Sequence, residues 1–374
     1  MPQRIIIVGA GIIGASLAFH LARAGCTVTV FEAALPANAA SGRSFGWINA
    51  SFYLTPAHHR LRVASMHAYR QLQTLLPDTA PNWQGALWFE GQGDTLTQKA
   101  AELAALGYPV ETLTAAQITT LEPSLAQIPA QALRFSTEAA IDPATLTHAL
   151  LAASGATLHK GLAVKSLIET AGHITGVRTA IGPFAADHVI LAAGIATPQL
   201  LQTIGLDLPM LTRPGVLLHT TPVPWQLHHI IVTPEQEIRQ DAQGRILAPA
   251  TANHQADASE TVENLPQMLD ATLTRLRALF NADLTLDHHT IGYRPVPGDG
   301  LPVLGLARPG LSLAVMHSGV TLAAGVGQAL AAEITGQGAS PLLSDFRPAR
   351  LIVRGLSPAT PAGPRSPPIT SPGC

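Results

Sequence analysis

Residues 4–32 read RIIIVGAGIIGASLAFHLARAGCTVTVFE. Ile5 to Val8 is an unbroken β-branched run, the pattern of a strand buried on both faces of a parallel sheet. Gly9, Gly11 and Gly14 follow at once. In that spacing the first glycine permits a tight turn, the second lets backbone approach a pyrophosphate, and the third lets a helix pack closely on the strand. The helix opens with Ile12 and Ile13; its free N–H groups and positive dipole end favour an anion, so the loop needs no lysine and has none. Thr27 to Phe31 forms a second strand, ended by Glu32 and Ala33. Glu32 stands 18 residues after Gly14, where a carboxylate accepts from ribose hydroxyls. An acid there, rather than an arginine, argues against a 2'-phosphate and hence against NADP. FAD and NAD both remain.

With 374 residues, 47% of them hydrophobic, the chain has core enough for two to three globular domains. Charged residues make up only 12% and the formal net charge is −2, so no basic stripe points to nucleic acid or an anionic membrane. Glycines interrupt the apolar N-terminus where a signal peptide would be continuous, which reads as mature fold. No apolar run approaches the roughly 18 residues of a membrane helix. Cys26 and Cys374 are the only cysteines; one is placed at a strand start and the other on a loose tail, so no structural disulfide is expected and a reducing cytoplasm fits. The pairs His58–His59, His228–His229 and His288–His289 lack a zinc partner motif, and no metal is expected.

After Glu32, Ser41, Gly42, Arg43, Ser44 and Gly46 form a loop without helical or strand period, followed by apolar Trp47 and Ile48 that must pack on something. Glycine triplet, strand-end acid and this loop together resemble the FAD-dependent D-amino acid oxidase and glycine oxidase superfamily, with D-amino acid dehydrogenases and sarcosine oxidases among its members. The resemblance implies an α/β fold: a discontinuous Rossmann-like FAD-binding domain with a parallel sheet, and an α+β substrate domain on an antiparallel sheet. We place the first in 1–80, 141–208 and 290–350, the second in 81–140 and 209–289, and a disordered tail in 351–374. Along the chain, Pro56 to Leu76 reads as a scaffold helix, Gly85 to Glu90 as a strand and Leu96 to Gly107 as a helix. Asp142, Pro143 and Gly155 mark a helix by N-cap, first position and C-terminal stop. The apolar run Val189 to Ala193, closed by Gly194, reads as a further buried strand.

The resemblance also implies roles. The 41–46 loop would lie along the pyrophosphate and ribityl chain, with Ser41 and Ser44 donating and Arg43 offsetting phosphate charge. Ala193 and Gly194 would turn beside the flavin nucleotide, and the backbone of Val164 would meet adenine. Arg294, followed by a proline that favours extended backbone, corresponds to the arginine that grips the substrate carboxylate; the alternative is a structural arginine paired with Asp299. A helix starting near Val320, with Ser318 as N-cap and Gly319 in the turn, would aim its N-terminus at the N1/C2 edge of the flavin, where its dipole stabilises negative charge and Gly319, Val320 and Thr321 contribute backbone N–H groups.

The family's activity would then be oxidation of the C–N bond of a glycine, D-amino acid or N-alkyl amino acid, with hydride passing to flavin N5 and an imine leaving. The alternative is a flavin-carrying subunit of a multi-component dehydrogenase; an unrelated NAD-linked dehydrogenase is a third reading. Expected partners are a small amino acid or amine and, as electron acceptor, oxygen or a quinone or redox partner. Departures from the family bear on this. The pocket sheet, taken as Pro209 to His289, holds no tyrosine to clamp a carboxylate and no lysine of the sarcosine oxidase kind, which leans towards a dehydrogenase. The segment MHSGVT holds no cysteine, so the FAD should be non-covalent. Trp225, His228, His229 and His254 are candidate pocket residues.

Overall fold

A computed structural model describes residues 1–250 and 259–354. The β-branched runs do what their patterning requires, because each is apolar on both faces and needs cover on both. Arg4–Val8 lies between His188–Leu191 and Thr27–Glu32, parallel to both. The six-stranded sheet continues to Thr157–Lys160 on one side and to Leu311–Val315 on the other, all parallel, and ends in the antiparallel Val303–Arg308. One face packs on the first helix, Ile12–Arg23, and on the C-terminal helix, Gly319–Ile334. The other is covered by a three-stranded antiparallel sheet from 164–185, through Leu167, Ile174 and Val177.

A second, eight-stranded sheet runs in the order Leu286–Pro297, Met210–Pro222, Arg245–Pro249, Glu237–Gln240, Ile230–Val232, Ala86–Trp88, Gln131–Phe135, Glu111–Thr114. It is antiparallel apart from the pair Ile230–Val232 with Ala86–Trp88. Its inner face packs on the helix Leu265–Phe280.

The expected junction at 289/290 falls inside one strand, Leu286–Pro297, which pairs with Met210–Pro222 along most of its length. Arg294 therefore belongs to the second sheet. So does Tyr293, and the sheet expected to lack tyrosine gains one. Of the tail expected from 351, Val353 and Arg354 pair with Leu206 and Asp207, because Leu351 and Ile352 supply apolar anchorage against the parallel sheet; the stretch from 355 lies outside the described residues. Asp142 caps its helix as expected, accepting from the amides of Ala144 and Thr145 at 2.9 and 3.3 Å, and Gly155 ends it in left-handed backbone. No helix among the described residues is long and apolar enough to cross a membrane.

Candidate active site

The glycine turn closes against the neighbouring strand. Gly9 has φ of +104°, and a Cβ there would sit 2.4 Å from the Ala192 carbonyl oxygen. A Cβ on Gly14 would sit 2.0 Å from the Gly9 carbonyl oxygen, so the third glycine lets helix meet turn. The helix has no side-chain cap of its own at Gly11. Ser41 supplies one from 29 residues away, its Oγ accepting from the Ile12 amide at 3.0 Å. This bond ties the second loop to the helix N-terminus and leaves the Ser41 hydroxyl proton able to donate. Glu32 accepts from the amides of Ala10 (2.8 Å) and Ala34 (2.9 Å), fixing both sides of the turn.

Arg43 donates from Nη1 to the Ile291 carbonyl at 2.9 Å, which joins its loop to the strand that carries Arg294. Past Gly46 the chain reaches Trp47, whose carbonyl accepts from Thr321 Oγ1 at 3.0 Å. Thr321 lies in the first turn of Gly319–Ile334. Ser318 precedes that helix with φ of +58° and makes no side-chain cap; its Oγ turns to His317 Nδ1 at 3.0 Å. The expected capping bond is thus missing, and the first-turn N–H groups at Gly319 to Thr321 are presented to the space that all these loops surround.

That space is a cavity of about 530 Å³. It takes in Glu32 and Ala33 at the exit of the second strand, the glycine turn, the 41–46 loop, Ala193 and Gly194, the start of the 319–334 helix, and Arg294. Of the residues expected to hold the cofactor, only Gly14, Gly42 and Val164 do not line it. Gly14 is buried beneath the turn, and Val164 opens a strand of the three-stranded sheet. Arg294 donates from Nη2 to the Pro214 carbonyl at 2.9 Å and from Nε to that of Arg213 at 3.4 Å. Asp299, weighed as its partner, holds Arg350 at 2.5 and 3.2 Å.

Comparison with known proteins gives the family. Residues 4–333 match the model of the DAO family, FAD dependent oxidoreductase. The chain belongs to that family. It is 29% identical over 371 residues to the uncharacterized oxidoreductase YurR of Bacillus subtilis, covering 92% of this chain and 98% of that one. It is 26% identical to a glycine oxidase of Pseudomonas aeruginosa, over 82% and 86% of the two chains. The crystal structure of a glycine oxidase from Bacillus cereus superposes with a TM-score of 0.81 at 20% identity, over 92% and 98%, a likeness of fold.

The lining of this DAO-family chain's cavity fits FAD: a turn of glycine and alanine at a helix N-terminus would take a pyrophosphate, Glu32 would face a ribose, and a second helix N-terminus would meet the other end. The flavoprotein also has site residues that the sequence did not disclose. Arg62, on the helix Pro56–Leu75 read as scaffold, lines the cavity at 3% exposure. It donates to the Asn49 carbonyl (2.9 Å) and to Asn49 Oδ1 (2.6 Å), and the Asn49 amide donates to Thr321 Oγ1 at 3.4 Å. A buried cation thereby stands beside the helix start. Burial pulls its pKa down to about 10, against the pull of Glu138 and Tyr108.

Glu138 is fully buried behind this wall and accepts from Trp47 Nε1 (2.9 Å), Tyr108 Oη (2.9 Å) and the Ser51 amide (3.1 Å). Loss of solvent raises its pKa to about 7 in spite of those donors. A helix of alternating character gives no local sign that one arginine will meet a cofactor site, and Glu138 stands in a turn with no motif.

Other expectations are corrected. Trp225 packs on Phe280 with ring centroids 4.8 Å apart. The amide of His228 and Nδ1 of His229 both meet Glu122, at 3.1 and 2.6 Å. None of the three lines the cavity: they serve the far side of the eight-stranded sheet, where a buried carboxylate needed partners. His254 lies outside the described residues. Phe45, Trp47, Phe52, Leu217, Tyr293 and His317 contribute to the wall instead. Among the described residues no group of His, Cys, Asp or Glu is spaced to hold a metal.

Proposed function

We propose that this flavoprotein oxidises the C–N bond of an amino acid or secondary amine of the glycine, D-amino acid or N-alkyl amino acid class. The bound FAD supplies the hydride acceptor, so that an imine is the product. The observation that carries this reading is Arg294, a guanidinium lining the same cavity as the glycine turn. Its planar donor set fits a carboxylate and would fix a substrate in both position and orientation. Trp47, Phe52 and Leu217 give the cavity apolar walls that exclude water and sharpen the electrostatics inside. The uncapped helix start at Gly319 and the buried Arg62 both favour negative charge at that end. No side chain is needed as nucleophile; the amine must reach the site neutral, and the resemblance to chains named glycine oxidase supports the substrate class.

Anaerobic mixing of the purified holoprotein with glycine, D-amino acids and N-methyl amino acids tests the reading, with bleaching of the flavin by at least one of them expected. A chain whose flavin no amine bleaches is not the complete enzyme, and the reading falls. Reoxidation in air and with a quinone analogue identifies the acceptor; the absence of lysine from Pro209 to His289 favours the quinone.

A further inference from the structure

The strand Glu237–Gln240 of the eight-stranded sheet stands between two cavities. Glu237 lines the one already described. Its two neighbours in sequence, Gln236 and Ile238, line a second, of about 350 Å³, between the sheet and the helix Leu265–Phe280. Successive strand residues point to opposite faces, so the second cavity lies across the sheet from the glycine turn. Among the described residues the two cavities share no lining residue.

Its floor is apolar, made by the buried side chains of Phe89, Ile238, Leu276 and Leu279. Arg275 stands in the wall, half-buried. Its Nη2 donates to Gln236 Oε1 at 3.2 Å and to Thr272 Oγ1 at 3.0 Å, and Gln236 is held in turn by a bond from its Nε2 to the Pro249 carbonyl. Nε is buried with no hydrogen-bond partner among the described residues. Arg277, on the same helix, pairs with Asp283; Arg275 has no such carboxylate among the described residues. The acid of this cavity is Glu235, exposed at the rim. A neutral occupant would strip water from the guanidinium and return nothing. A carboxylate would return charge-assisted bonds to a planar fork of donors, while the floor takes an alkyl or aryl body. A second negative charge on the ligand would meet Glu235, which favours a monoanion.

We propose that this second cavity is a binding site for a monocarboxylate with a short alkyl or aryl body, whose carboxylate is held by Arg275. The site is separate from the oxidation proposed above and stands or falls without it.

Calorimetric titration of the oxidised holoprotein with hexanoate, hexanamide and adipate tests it, in the Arg294→Ala variant so that the first cavity has lost its own arginine. Flavin absorbance is followed alongside, because a ligand in the first cavity shifts those bands. One hexanoate per chain should bind without moving them, at least about tenfold more tightly than hexanamide, with adipate weaker than hexanoate. Arg275→Met in the same background should weaken hexanoate by at least about tenfold, and Glu235→Gln should tighten it about two- to fivefold. Ile128→Trp, which fills the cavity and leaves both charges in place, should abolish binding and serves where Arg275→Met does not fold. The proposal is overturned if hexanoate binds only with a shift of the flavin bands or not at all. It is equally overturned if hexanamide binds as tightly, or if the folded Arg275→Met or Ile128→Trp chain keeps the full affinity for hexanoate.

Discussion

The side chain of Arg294 runs across Gly215. Its Nη2 donates to the Pro214 carbonyl at 2.9 Å, and a Cβ at position 215 would come within 3.3 Å of its Nε. The two strands pair Gly215 with Gly292; Gly215 keeps the space under the guanidinium open, while Gly292 lets the Arg43 backbone approach its strand. Arginine position is therefore set by what is missing from the neighbouring strand.

Arg294→Ala should weaken substrate binding and slow flavin reduction by at least about tenfold, measured by anaerobic stopped-flow. Arg294→Lys should recover only part of this, since a point charge does not reproduce two parallel donors. Gly215→Ala should raise KM by about three- to tenfold with the flavin spectrum intact. An unchanged reduction rate in Arg294→Ala would remove the residue from the site.

Gly9→Ala and Gly14→Ala each drive a methyl group into backbone, at 2.4 and 2.0 Å. Both should cost about 2 kcal/mol or more of stability and yield protein poor in FAD. Gly25 also has positive φ, +86°, yet a Cβ there meets nothing within 4 Å. Gly25→Ala should keep its FAD and lose only about 1–2 kcal/mol, the cost of left-handed backbone. Flavin-to-protein absorbance ratios and urea midpoints separate the cases; equal FAD loss in all three would argue against a specific turn.

Cys26, the one cysteine among the described residues, is half-buried outside the cavity, and burial pushes its thiol pKa up. It is neither placed nor activated to bond a flavin. Acid precipitation should leave FAD in the supernatant, seen by its absorbance; flavin retained in the washed pellet would disprove non-covalent binding.

Glu138 links pH to stability. Its pKa is raised from 4.5 to about 7 in the folded chain. Between those values the native state holds a proton that the unfolded state has released, so this group's contribution to stability falls as pH rises from about 4.5 to 7 and stays low above. Glu138→Gln cannot titrate. The drop in unfolding free energy between pH 5 and pH 8 should be smaller in the variant by roughly 3 kcal/mol, from urea titrations of both proteins. An identical pH dependence in the two would mean that Glu138 is ionised throughout.

By itself the sequence pointed to the glycine turn, to the FAD-binding family and to Arg294, which it assigned to the wrong sheet. Those signals are local: an apolar strand, glycines whose spacing the backbone must obey, an acid at the next strand end, Asp142 and Gly155 bounding a helix. What only tertiary structure decided is how distant segments meet at the wall. Trp47 and Glu138 are 91 residues apart in sequence and 2.9 Å apart in space. Arg62 reaches the cavity because its helix packs against Gly319–Ile334, and Glu237 because a strand has two faces and the core claimed Ile238. Trp225, His228 and His229 lie in the connection before the strand Ile230–Val232 and pack away from the pocket, on Phe280 and Glu122. Spacing along the chain fixes a turn or a cap, since the atoms concerned are neighbours; which side chain faces a cavity depends on where sheets and helices cross, and that is settled by burial of the whole apolar surface.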